Sequence, residues 1–161
     1  MTKIKIFTVG GTIDKIYFDQ KSNYQVGDPE IVEVLREANV DLEIETELIM
    51  QKDSLDMTAK DRQLILSKVD TDPNKHIVIT HGTDTMIDTA RSLSTIKNKT
   101  VVLTGSMQPA RFKNSDAAFN IGCAVAAVQI LPAGIYIAMN GKIFDPQNSR
   151  KNIKSNRFEE T

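Results

Sequence analysis

The chain reads as an α/β protein in three layers, a mostly parallel sheet with helices on both faces. Short β-branched runs at 3–9, 42–50, 76–80, 100–104 and 134–138 have the length and composition of strands. Segments with apolar residues at helical spacing fall between them at 28–38, 58–69, 83–95 and 115–130. That repeated β-α alternation predicts parallel pairing through helical crossovers, with both faces of the sheet covered.

Taken in order, 3–9 alternates lysine with isoleucine and then turns fully apolar, as a strand does on entering a buried sheet. It ends at Gly10-Gly11, where missing Cβ atoms allow a sharp turn and a close approach to the backbone. The 42–50 strand alternates Leu42, Ile44, Thr46 and Leu48 with Glu43, Glu45 and Glu47, which predicts a place toward the sheet edge and a solvated acidic face. At 76–80 the run is apolar and β-branched, and His81-Gly82-Thr83-Asp84-Thr85 follows it. Thr83, Asp84 and Thr85 suit the start of a helix, and Met86, Ala90 and Leu93 give that helix one apolar face. The long apolar stretch 121–139 is broken by Gln129, Pro132 and Gly134, so it divides into a helix and a short strand rather than crossing a membrane. Ala118, Ile121, Val125 and Val128 mark the inner face of that helix.

Composition narrows the function classes. The 161 residues, 40% of them apolar, suit one domain spanning 1–161. With 20 basic and 21 acidic residues the net charge is −1, so neither nucleic acid nor an anionic membrane is the expected partner. A small polar substrate is. Cys123 is the only cysteine and cannot form an internal disulfide, and the N-terminus enters a strand without an apolar leader, so the expected location is cytoplasmic. The polar tail after Lys151 is expected to be disordered without a partner.

Two loops carry the chemistry. Thr8-Val9-Gly10-Gly11-Thr12-Ile13 and His81-Gly82-Thr83-Asp84-Thr85 each place a threonine at the carboxyl end of a strand, where open α/β sheets hold their ligands. Their hydroxyls are inert at their intrinsic pKa and need a base. Lys151 is the candidate, with Arg150 as one cationic neighbour able to favour its neutral form. Taken singly, Thr12 reads as a turn residue, Asp84 as a helix N-terminal charge, Ser54 as a turn residue, Tyr24 as a packed aromatic and Lys151 as a solvated cation, with Lys154 close by. His76 and His81 read as structural, no metal set is evident, and Gly10-Gly11 lacks the spacing of a nucleotide loop, so no cofactor is expected.

In combination the two loops resemble the bacterial L-asparaginase family, its asparaginase/glutaminase class. Ser22-Asn23-Tyr24 is similar to the lid tyrosine segment, Asp53-Ser54-Leu55-Asp56-Met57 to the substrate-holding serine loop, and Val101-Val102-Leu103-Thr104-Gly105-Ser106-Met107-Gln108-Pro109 to the strand and turn after the second motif. Asp145 through Lys151 then reaches the family's lysine. The resemblance covers essentially the whole chain but only the family's larger, N-terminal domain. It implies a flavodoxin-like sheet, Thr12 as nucleophile with Tyr24 as its lid partner, and a cluster of Thr83, Asp84 and Lys151 around the amide. It further implies that backbone N–H groups near Gly11 and Thr83 meet the oxyanion, and that Asp84 holds the substrate's α-ammonium and Ser54 its α-carboxylate. The substrate implied is L-asparagine and the assembly a homo-oligomer, dimer or tetramer.

Three departures stand out. Leu55 follows Ser54 where a glutamine is common in the family, which loosens the substrate grip. The chain stops at Thr161, before the family's second domain. Asp14-Lys15-Ile16-Tyr17-Phe18 is more charged and aromatic than the usual start of the lid, and makes Tyr17 an alternative to Tyr24. Besides a single-domain asparaginase, two readings stay open: an amino-acid-binding or sensing module without turnover, and an amidase subunit that needs a partner chain and acts on a larger substrate such as a charged tRNA.

Overall fold

The protein is described from a computed structural model, which covers residues 2–18, 20 and 22–161. Its strands are β1 (Lys3–Gly10), β2 (Lys15–Phe18), β3 (Asn23–Val26), β4 (Glu43–Lys52), β5 (His76–Thr80), β6 (Thr100–Thr104), β7 (Gly134–Met139), β8 (Lys142–Phe144), β9 (Ser149–Asn152) and β10 (Arg157–Glu160). The helices are α1 (Ile31–Glu37), α2 (Ala59–Thr71), α3 (Met86–Ser92) and α4 (Ala117–Ile130). The central sheet runs β4-β1-β5-β6-β7-β8, parallel except for the last pair. The chain moves from β1 outward to β4 and then returns to the other side of β1, so β1 and β5 flank the switch point of a flavodoxin-like order.

Strand alternation sorts the core into two layers. Phe7, Val9, Ile77, Ile79, Val101 and Leu103 point to one face and pack on Ile65 and Val69 of α2, Met86 and Ala90 of α3, and Leu93 just after α3. Ile4, Ile6, Val78 and Val102 point to the other, against Ile31 and Leu35 of α1 and Ile121, Ala124 and Val128 of α4. Ala118 is exposed, and Ala117 takes the inward position instead. α2 opens on a capping box: Asp61 N–H donates to Thr58 Oγ1 at 3.2 Å and Thr58 N–H to the Asp61 carboxylate at 2.9 Å.

β4 lies at the sheet edge, as its alternation predicts. Its acidic face, however, is not simply solvated. Lys5 of β1 is 3% exposed, and its ammonium meets Glu45 at 2.7 Å, Glu47 at 3.0 Å and Asp72 at 3.5 Å. Burial disfavours that charge, but hydrogen bonds to the two glutamates outweigh the penalty and raise the lysine's pKa. Parallel register places Lys5 opposite Glu45, so period-two patterning alone misreads these glutamates.

The tail is also ordered. Asn152 Oδ1 accepts from the Lys154 and Ser155 N–H groups, turning the chain so that β9 and β10 pair. Phe158 is 4% exposed and packs against Phe144, a burial contributing about 1.5–3 kcal/mol. Asn140-Gly141, both at positive φ, turns β7 into β8. Among the described residues no helix is long and apolar enough to cross a membrane.

Candidate active site

Both threonine loops emerge at the carboxyl ends of β1 and β5, on either side of the switch point. Gly10 and Gly11 have φ of 104° and 93°, values that side chains resist. A Cβ at Gly10 would lie 2.6 Å from Lys52 backbone atoms, and one at Gly11 would collide with the Gly82 backbone. The glycines therefore let the two loops touch, and half-buried Thr12 opens a single 3-10 turn directly beyond them. A Cβ at Gly82 would meet Ser54 at 2.6 Å, which brings the serine loop into the same contact.

Ser54 is fastened there by the residue that precedes α3. Thr85 Oγ1 donates to the Ser54 carbonyl at 2.8 Å, and Thr85 N–H to Ser54 Oγ at 3.3 Å. Helix α3 consequently begins at Met86, three residues later than its sequence pattern predicts, and leaves Thr83 and Asp84 outside the helix. Lys151, on the inner face of β9, reaches both. Its Nζ donates to Thr83 Oγ1 at 2.8 Å and to Asp84 Oδ1 at 2.7 Å. The lysine side chain is 13% exposed and the aspartate 41%, so the pair closes one wall of a cleft and opens to solvent on the other. Leu55, Ile87, Arg91 and Ser149 line the cleft beside them, about 320 Å³ in volume.

Beneath this cluster His81 is fully buried and locked. The Gly82 carbonyl can only accept, at 2.7 Å, so Nδ1 carries the proton and Nε2 takes the hydrogen of Thr89 Oγ1 at 2.8 Å. Arg62 Nε donates to the same hydroxyl. Burial pushes the imidazole pKa down to about 4, so His81 stays neutral and serves as a prop. Among the described residues no group of three or more histidine, cysteine or carboxylate side chains converges as a metal set.

Of the expected site residues, Thr83, Asp84 and Lys151 are hydrogen-bonded to one another, and Gly11 and Ser54 converge on Gly82. Lys154 sits in the exposed β9-β10 turn, and Lys151 alone makes these bonds. Arg150 lines the same cleft, with its guanidinium paired to Glu159 at 2.7 Å. The Gly11 N–H is not free either: it donates to the Lys52 carbonyl at 2.9 Å.

Tyr24 lies on the β2-β3 hairpin, directly opposite Tyr17 in register. The two rings meet edge to face at 5.4 Å, Tyr24 also meets Phe112 at 5.7 Å, and both tyrosines are half exposed. Among the described residues no hydrogen bond joins Tyr24 or Lys151 to Thr12. Leu55 is 71% exposed at the cleft rim. Sequence reasoning assigned nothing to Asp53, whose carboxylate caps the Ser54 turn at Leu55 N–H, 3.1 Å, and meets Lys15 at 3.0 Å. An aspartate just before a short turn was the available signal.

Residues 3–159 match the family model described as Asparaginase, N-terminal. The chain is 32% identical over 165 aligned residues to L-asparaginase 2 of Escherichia coli K12, a match covering 94% of this chain and 47% of that protein. Over 71 residues it is 45% identical to a glutamyl-tRNA(Gln) amidotransferase subunit of Methanococcus vannielii, covering 43% of this chain and 17% of that protein. The solved thermostable L-asparaginase of Thermococcus kodakarensis superposes with a TM-score of 0.85 at 31% identity, over 99% of this chain and 51% of the other. The chain thus spans about half the length of these asparaginases.

Proposed function

Because the chain belongs to the asparaginase family, matching its N-terminal domain, we propose that it hydrolyses the side-chain amide of L-asparagine to L-aspartate and ammonia through an acyl-threonine intermediate. Thr12 Oγ attacks the amide carbon and loses its proton. The C–N bond then breaks, the nitrogen leaves with that proton as ammonia, and water hydrolyses the ester to regenerate Thr12 and release the carboxylic acid. Tyr24 on the hairpin is the proton partner of Thr12. Lys151 and Asp84 set the protonation and orientation of Thr83, while the Thr12 and Thr83 amides face the oxyanion.

Asp84, 41% exposed and turned to the cleft, takes the substrate's α-ammonium, and Ser54 with Leu55 flanks its α-carboxylate. The observation that carries this reading is the hydrogen-bonded Thr83-Lys151-Asp84 cluster at the end of the strand beside the Gly10-Gly11-Thr12 turn. Exposed Leu55 and Ile153 at the cleft rim favour a homo-oligomer, dimer or tetramer. The likeness to an amidotransferase component supports a second reading, an amidase subunit with a partner chain, although a net charge of −1 gives it no basic excess for direct RNA contact.

Ammonia release from L-asparagine and L-glutamine, measured with wild type and Thr12→Ala in parallel, tests the assignment. Turnover lost in the variant, with circular dichroism unchanged, is the expected result. Turnover retained removes the threonine nucleophile, and asparagine binding by calorimetry without turnover in the wild type points to the sensing module.

A further inference from the structure

Resting on the hydrolase reading above, we propose that Asp53 is a positioning residue whose ion pair with Lys15 fixes the β2-β3 hairpin and the Ser54 turn to each other as one unit facing Lys151. One carboxylate performs two tasks: Oδ2 meets Lys15 Nζ at 3.0 Å and Oδ1 accepts from Leu55 N–H at 3.1 Å. The first contact belongs to the hairpin and the second to the turn that carries Ser54. Lys15 is the first residue of β2, immediately after the Thr12–Asp14 turn, so the link between nucleophile turn and ion pair has almost no slack.

The pair is partly shielded, with side chains 26% and 31% exposed, which sets it apart from freely solvated surface pairs. Burial alone would raise the Asp53 pKa, but the Lys15 hydrogen bond, the Leu55 N–H and the charges of Lys15 and Lys151 together hold it below the ordinary range. That direction favours the anionic carboxylate that both contacts use. On its other side the hairpin is held by the Tyr24-Phe112 ring contact, and Ala110 N–H donates to the Ile13 carbonyl at 3.0 Å. Lys15 and Asp53 tie the hairpin to the Ser54 turn. Neither touches the reacting atoms, so their effect passes through Tyr24 and Ser54.

The test compares Lys15→Met, Lys15→Arg and the remote control Lys68→Met, which removes an ion pair with Glu47 elsewhere on the surface. Asparagine kinetics and amide hydrogen exchange are read on each. Lys15→Met is expected to raise KM about fivefold through Ser54 and lower kcat about fivefold through Tyr24, and to speed exchange about fivefold both in the hairpin and at residues 54–56. Lys15→Arg restores both, and Lys68→Met changes neither. Exchange at 54–56 that stays at the wild-type rate in Lys15→Met overturns the proposal, because an ordinary surface pair would free only its own strand. A wild-type protein without turnover defeats the hydrolase reading, while the exchange comparison still decides whether Asp53 joins hairpin and turn.

Discussion

Lys151 Nζ stands 2.8 Å from Thr83 Oγ1, across 68 positions of sequence, and this contact joins β9 to the end of β5. If the two act as one unit, their removal is not additive. Lys151→Met and Thr83→Val are each expected to lower kcat by about 10³ or more, and the double variant to lose little beyond either single one. Steady-state ammonia release on the three variants and wild type gives the coupling directly; losses that multiply would separate the lysine from the threonine.

Tyr24 and Tyr17 face each other across the hairpin, and only Tyr24 also meets Phe112. Tyr24→Phe keeps both ring contacts and removes the hydroxyl, so its expected effect is a fall in kcat of about 10²-fold or more with the hairpin still packed. Tyr17→Phe is expected to stay within about threefold of wild type. A larger loss in the Tyr17 variant assigns the lid hydroxyl to Tyr17.

Asp14 makes stability depend on pH. Its carboxyl is 2% exposed, accepts from the Glu30 N–H at 3.0 Å, and has its pKa pushed up to about 7, first by burial and then by the nearby charges of Glu30 and Asp28. The folded state thus holds a proton that the unfolded chain, titrating near 3.8, has already lost. Stability from this group is fully present below pH 4 and declines as pH rises through 7. Asp14→Asn keeps the acceptor without the titration. The difference in Tm between variant and wild type is expected to grow in the variant's favour from pH 5 to pH 8, and a constant difference would show that Asp14 does not titrate there.

Thr8 and Thr80 sit opposite each other in register, and both hydroxyls are buried without a hydrogen-bond partner among the described residues. An isosteric Thr80→Val removes a desolvated polar atom without opening a cavity and is expected to stabilise the fold by about 1 kcal/mol. Urea unfolding measures it; a loss of similar size would mean that the hydroxyl is bonded through a buried water.

The sheet and its four covering helices were legible because periodicity and glycine punctuation act locally. The same holds for the two threonine loops, whose place at strand ends follows from the strands themselves. What escaped depends on register or on distant partners. Glu45 and Glu47 look solvated until β1 brings Lys5 beside them. Phe158 looks like an isolated aromatic in a polar tail until Phe144 receives it. The Gly11 amide looks free until the end of β4 crosses it with the Lys52 carbonyl. Arg150 looks like an unpaired cation beside Lys151 until β10 brings Glu159 opposite it.

The order in which the site's parts appear along the chain has its own consequence. The Gly10-Gly11-Thr12 turn emerges first during synthesis, and the strands that bury it follow within the next hundred residues, whereas Lys151 arrives on a hairpin anchored through Phe158. The central sheet is complete in sequence at Phe144, so the lysine is the last part of the site to be made. Until residues 149–160 are made, Thr83 and Asp84 lack the ammonium that holds them both.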